Sequence, residues 1–208
     1  MAVDAPLDVA WFGASLDAAR VVVVLIHGRD QTPAYMAEHV ADRLALDDVA
    51  FVAPAAPGGR WYPGTLDAPV ADNQPDLDRS LAAIESIDSY LDRAGSPRRR
   101  RVLCGFSQGA ALACTYAARH PHPWRAVVAF TGGLMGCEGD LVPVEGRLDG
   151  VDVYVSVSSD DSWLEVERAQ STADAFSRAG ARVTLDVFEH RGHEVSAAEI
   201  ERLRALLE

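Results

Sequence analysis

At 208 residues the chain can close one well-buried core and is short for two, so a single domain over 1–208 is expected. Its 49% hydrophobic content is ordinary for a folded globular protein, and no apolar run approaches the ~18 residues that a membrane span needs. A net charge of −12, with every one of the 19 basic residues an arginine, argues against duplex nucleic acid as a partner; the acidity suits a salty cytoplasm, although a GC-rich genome also produces an Arg and Ala bias.

Met1–Pro6 has neither the basic region nor the apolar core of a secretory signal, so a cytoplasmic location is expected. Leu7–Leu16 reads as an edge strand or hairpin. Val21–Ile26 is a continuous β-branched and aliphatic run, the pattern of a strand buried on both faces of a parallel sheet. Similar runs follow at Ala50–Ala53, Val102–Phe106, Ala126–Phe130, Val151–Val157 and Val183–Phe188. Helix-period segments alternate with them at Pro33–Leu46, Asp76–Ala94, Ser107–Arg119, Leu164–Ala179 and Ser196–Leu207. The alternation predicts a three-layer α/β architecture with a mostly parallel central sheet and right-handed crossovers. Pro54–Pro75 and Gly132–Gly150 are irregular and follow strands, which places them at the carboxyl edge of the sheet, where ligands bind in such folds. Arg98–Arg101 reads as a solvated turn. Cys104, Cys114 and Cys137 read as reduced residues in apolar surroundings, without metal-ligand spacing.

Gly105-Phe106-Ser107-Gln108-Gly109 fits the pattern Gly-x-Ser-x-Gly and falls where a strand should turn sharply into a helix, which reads as a nucleophile elbow. The two glycines let strand and helix close on each other, and the turn strains the serine so that its hydroxyl stands clear of the sheet. The plain alternative is a serine that caps the following helix. A serine nucleophile needs a base, and the base needs an orienting acid. Asp160 and Asp161 both lie in the loop after the Val151–Val157 strand, and His190 and His193 both lie in the loop before the last helix. Two backbone amides are expected to receive a developing oxyanion, that of Gln108 and that of Arg29 in the loop after Val21–Ile26.

These blocks resemble the phospholipase/carboxylesterase group of small carboxylesterases, which includes acyl-protein thioesterases and lysophospholipase-like esterases. The resemblance spans nearly the whole chain through Leu25–Arg29, Arg60–Pro63, Gly105–Ala110, Thr131–Leu134, Asp161–Trp163 and Gly192–His193. It implies an α/β-hydrolase fold with little or no cap domain, and a triad of Ser107, Asp161 and His193. The amides of Arg29 and Gln108 are the implied oxyanion donors, and no metal or organic cofactor is implied. Register to Trp163 favours Asp161 over Asp160, and the preceding glycine favours His193 over His190. Two departures stand out: Asp30 replaces a common glycine and adds negative charge to the oxyanion loop, and Ser162 and Glu165 stand where prolines commonly follow the acid.

Trp61, Tyr62, Leu134, Met135, Trp163 and Leu164 fall on loops expected to rim the site and to line an acyl or aromatic pocket, with ordinary core or surface placement as the plain alternative. His27 reads as scaffolding whose ring is hydrogen-bonded beneath the site. The expected activity is hydrolysis of carboxylic esters of small to medium acyl or aryl groups. A thioesterase or lysophospholipase on the same triad is the alternative, and a non-catalytic binder reusing the pocket is the alternative of another class. The expected partner is a small-molecule ester or thioester, with a homodimer allowed.

Overall fold

The structure, a computed structural model, describes residues 8–208, so the expectation drawn from Met1–Pro6 lies outside it. Seven strands form one sheet in the order β1 (Val9–Gly13), β3 (Val49–Pro54), β2 (Val21–Ile26), β4 (Arg101–Phe106), β5 (Ala126–Phe130), β8 (Asp152–Ser158) and β9 (Arg182–Phe188). β1 runs antiparallel to β3, and every other neighbouring pair is parallel. A separate two-stranded hairpin joins β6 (Gly136–Cys137) to β7 (Asp140–Leu141).

β2 is buried along its whole length because helices cover both faces of the sheet. Val22, Val24 and Ile26 pack into the core shared with α3 (Asp76–Arg93), α4 (Gln108–Arg119) and α5 (Val166–Arg178). Val21, Val23 and Leu25 face the opposite core, built with α1 (Pro33–Met36), α2 (Asp42–Leu44) and α6 (Ala197–Leu207). Strand alternation thus divides one apolar run between two cores. The resulting three-layer α/β sandwich carries Pro54–Pro75 and Gly132–Gly150 beyond the carboxyl ends of β3 and β5.

Several expected elements are reshaped. Leu7–Leu16 contributes the single edge strand β1 among the described residues. The helix expected over Pro33–Leu46 begins at a Thr32 cap, passes through a π turn at Ala37–Ala41, and stops at Ala45, whose φ of 49° is left-handed. Arg98–Arg101 is not solvated throughout. Arg101 is fully buried, and its guanidinium pairs with Asp88 and, at 2.7 Å, with Asp92. Those carboxylates lie one turn apart on α3, so they offer a planar fork two acceptors on one face. Cys104 and Cys114 are core residues, with burial pushing the Cys114 thiol up to about 12, whereas Cys137 is only half-buried in the hairpin.

Candidate active site

Ser107 stands between the last residue of β4 and the first of α4 with φ 54° and ψ −118°, a conformation that L-residues rarely adopt. The turn is this tight because both flanking glycines are required. A Cβ on Gly105 would lie 2.2 Å from the Gly109 carbonyl oxygen, and one on Gly109 would lie 2.1 Å from that of Ile26. The Ser107 N–H donates to Phe130 C=O at 2.9 Å, which ties the turn to β5.

Parallel pairing of β8 with β9, which runs to Ser158 opposite Phe188, brings the two following loops side by side. His193 Nε2 lies 2.8 Å from Ser107 Oγ, and its Nδ1 lies 2.8 Å from Asp161 Oδ2. A carboxylate only accepts, so Nδ1 carries the ring proton and Nε2 is left to accept from the serine. Asp161 has a fully buried side chain whose Oδ1 accepts the N–H groups of Trp163 at 2.8 Å and Leu164 at 3.0 Å. Those two backbone bonds fix the Asp161 carboxylate in a loop where Ser162 and Glu165 stand in place of the prolines common in the family. Asp160 and His190 pair with each other at 2.7 Å on the outside of the same loops, with the His190 side chain 87% exposed, and this bond holds the Asp160 carboxyl below its ordinary value.

The loop after β2 is pinned on both sides of Arg29. Gly28 N–H donates to Gln31 Oε1 at 2.9 Å and Asp30 N–H to Gly59 C=O at 2.8 Å, while the Arg29 N–H between them meets no acceptor among the described residues. The Arg29 guanidinium reaches across to the carbonyls of Pro63 and Gly64. Asp30, at φ 57°, turns its carboxylate to Arg60 at 3.1 Å, which balances the charge the sequence placed beside this loop. His27 is buried beneath it. Its Nε2 accepts Ala56 N–H at 3.0 Å and its Nδ1 lies 2.7 Å from Gly28 C=O, an arrangement of neutral imidazole that agrees with a value depressed by burial.

A cleft of about 500 Å³ opens over Ser107 and His193, walled by Arg29, Tyr62, Leu66, Phe106, Trp163 and Leu164. Trp163 is 71% exposed at its mouth. Trp61, Leu134 and Met135, expected at the rim, are instead core residues. Trp61 is held inward by an indole bond to His27 C=O at 2.7 Å, and Leu134 by its N–H bond to Thr172 Oγ1 at 2.9 Å. Their loops fold back over α4 and α5, where an apolar side chain gains more from burial than at the rim. Phe106, Leu66 and Thr131 line the cleft without having been named there; Phe106 and Thr131 stand at the carboxyl ends of strands and inside the blocks Gly105–Ala110 and Thr131–Leu134, and Leu66 lies in the irregular stretch Pro54–Pro75. Among the described residues no group of three or more His, Cys, Asp or Glu side chains is arranged to hold a metal ion.

The sheet order and the strained serine at the β4–α4 turn define an α/β-hydrolase. The family model described as phospholipase/carboxylesterase matches residues 13–208, and the chain belongs to that family, whose members are serine hydrolases. A crystal structure of a phospholipase/carboxylesterase from Dyadobacter fermentans aligns with a TM-score of 0.89 at 31% identity, covering 97% of this chain and 96% of that one. An Escherichia coli protein named esterase YpfH is 24% identical over 85% of this chain and 77% of its own length. A Salmonella typhi protein bearing the provisional name carboxymethylenebutenolidase is 27% identical over 77% of this chain; the match spans only 63% of that protein's length. No helix among the described residues is long and apolar enough to cross a membrane.

Proposed function

We propose that this chain is a serine carboxylesterase that hydrolyses esters of small to medium acyl or aryl groups. The observation that carries the reading is the hydrogen-bonded chain from Ser107 through His193 to Asp161, ending on a serine with φ 54°. Ser107 Oγ attacks the carbonyl carbon as His193 Nε2 takes its proton. Asp161 holds the tautomer that leaves Nε2 free and stabilises the imidazolium that forms. The tetrahedral oxyanion is received by the Arg29 amide and by the Gln108 amide, the first of α4, where the helix N-terminus adds its own positive potential. His193 then protonates the departing alcohol, and water activated by the same ring clears the acyl-enzyme.

The apolar walls of the cleft support an acyl or aryl group, with Trp163 exposed at its mouth. A reducing, cytoplasmic setting fits the three free cysteines. The test is a p-nitrophenyl ester series from acetate to palmitate on wild type and Ser107→Ala. Turnover of short and medium esters that vanishes in the variant is the expected result. Preference for palmitate would move the reading to a lipid or thioester hydrolase, and a Ser107→Ala variant with wild-type rates would remove the nucleophile.

A further inference from the structure

His193 sits in the loop Glu189–Val195, beyond the last rung of β8–β9 pairing at Ser158 and Phe188. Asp161 orients the ring from one side, but something must set the height of the loop above Ser107. The side chain placed to do so is Arg191, which turns inward and is 7% exposed. Its Nη1 donates to Glu199 Oε1 at 2.5 Å and to the Glu194 carbonyl at 3.0 Å, while its Nη2 donates to Thr131 Oγ1 at 2.7 Å. The guanidinium also lies over the Phe188 ring at 5.1 Å.

Each partner is itself fixed. Glu199 is fully buried in the first turn of α6, where its Oε2 accepts the Ser196 N–H at 2.6 Å and completes a capping box. Its Oε1 also accepts from Ser156 Oγ on β8, the strand that leads to Asp161. Thr131 is the residue after Phe130, whose carbonyl receives the Ser107 N–H. One planar fork therefore joins the histidine loop to the strand end that holds the nucleophile, and, through Glu199, to the strand that leads to the acid and to the final helix.

A buried ion pair is a weak source of stability, because desolvation offsets most of the attraction, but its geometry is exacting. An apolar side chain would anchor a loop equally well if only burial were needed. We infer that Arg191, braced by Glu199 and Thr131, is the positioning residue that holds the His193 ring at hydrogen-bond distance from Ser107. This rests on the reading of Ser107 and His193 given above.

The experiment compares p-nitrophenyl butyrate kinetics of wild type, Arg191→Met, Arg191→Lys, His193→Ala and the double variant Arg191→Met/His193→Ala, with folding at the assay temperature checked by circular dichroism. Arg191→Met is expected to lower kcat about 100-fold with KM within about twofold, since a shift of the order of 1 Å in the base is enough to do so. Arg191→Lys keeps the charge opposite Glu199 but loses the fork, so a loss of about tenfold is expected; it decides the question if Arg191→Met does not fold. On the His193→Ala background, Arg191→Met should cost nothing more. Folded Arg191 variants with wild-type kcat, or a loss that multiplies with that of His193→Ala, would overturn the positioning role alone. Wild-type turnover in His193→Ala would instead overturn the base assignment and the inference with it.

Discussion

Gln108 closes two hydrogen bonds with the backbone of the neighbouring loop, its Oε1 accepting Trp61 N–H at 2.9 Å and its Nε2 donating to Tyr62 C=O at 2.8 Å. The residue whose amide opens α4 thereby also fixes the wall of the cleft. Ser80 Oγ, which donates to Trp61 C=O at 2.6 Å, completes the attachment of that loop to α3.

Gln108→Leu retains the backbone amide but leaves the Trp61 N–H and Tyr62 C=O buried without those partners, a change expected to cost about 2–4 kcal/mol. For a chain of this size that lowers Tm by roughly 6–12 °C in a thermal scan. A Tm within about 2 °C of wild type would show that water replaces the side chain at no cost.

Two replacements of Ser107 separate chemistry from strain. Both Ser107→Ala and Ser107→Gly should lower turnover by about 10⁴-fold or more. Glycine alone relieves the penalty for φ 54°, so Ser107→Gly is expected to exceed Ser107→Ala in stability by about 1 kcal/mol despite its larger unfolded-state entropy. Urea unfolding of the two variants measures the difference, and equal midpoints would mean that the strain relieved is no larger than the unfolded-state entropy that glycine adds.

The two adjacent aspartates are told apart by amidation. In Asp161→Asn the oxygen facing Trp163 and Leu164 can remain while an NH₂ group faces His193 Nδ1, which favours the wrong tautomer and should lower kcat about 10³- to 10⁴-fold. Asp160 faces exposed His190 outside the cleft, so Asp160→Asn should change kcat by less than about twofold. Comparable losses in both variants would mean that the outer pair also positions the reacting groups.

Stability should fall in mildly acidic solution because of His27. Burial holds its imidazole below the ordinary 6.5, so between those two values the unfolded chain binds a proton that the folded chain refuses. The stabilisation is complete above about pH 6.5 and is lost as pH falls below it toward the folded value. A His27→Gln variant should show a flatter dependence of Tm on pH in that window. His122, depressed by burial in the same direction, leaves a residual slope. An unchanged slope in His27→Gln would assign the effect elsewhere.

The α/β class and the strained turn at Ser107 follow from the chain alone, because both are local. A run such as Val21–Ile26 can be buried only between two layers, and Gly105 and Gly109 mark a place where backbone must touch backbone. The expected strands and helices match the observed ones to within a few residues for the same reason. What lies across 30 or more residues was decided by tertiary structure. The β8–β9 register turns Asp161 inward to His193 and leaves Asp160 outside with His190. Trp61, Leu134 and Met135 are drawn into the core although their loops end at the cleft, since a loop's path does not say which way its side chains point. Arg101 and Arg191 are arginines like any other in an acidic sequence; only the folded chain, by placing buried carboxylates beside them, makes both interior. Periodicity and steric demand act within one element, whereas the partner of a buried charge is chosen by packing between different elements, even where Arg101 and Asp88 lie only 13 residues apart and Arg191 and Glu199 only 8.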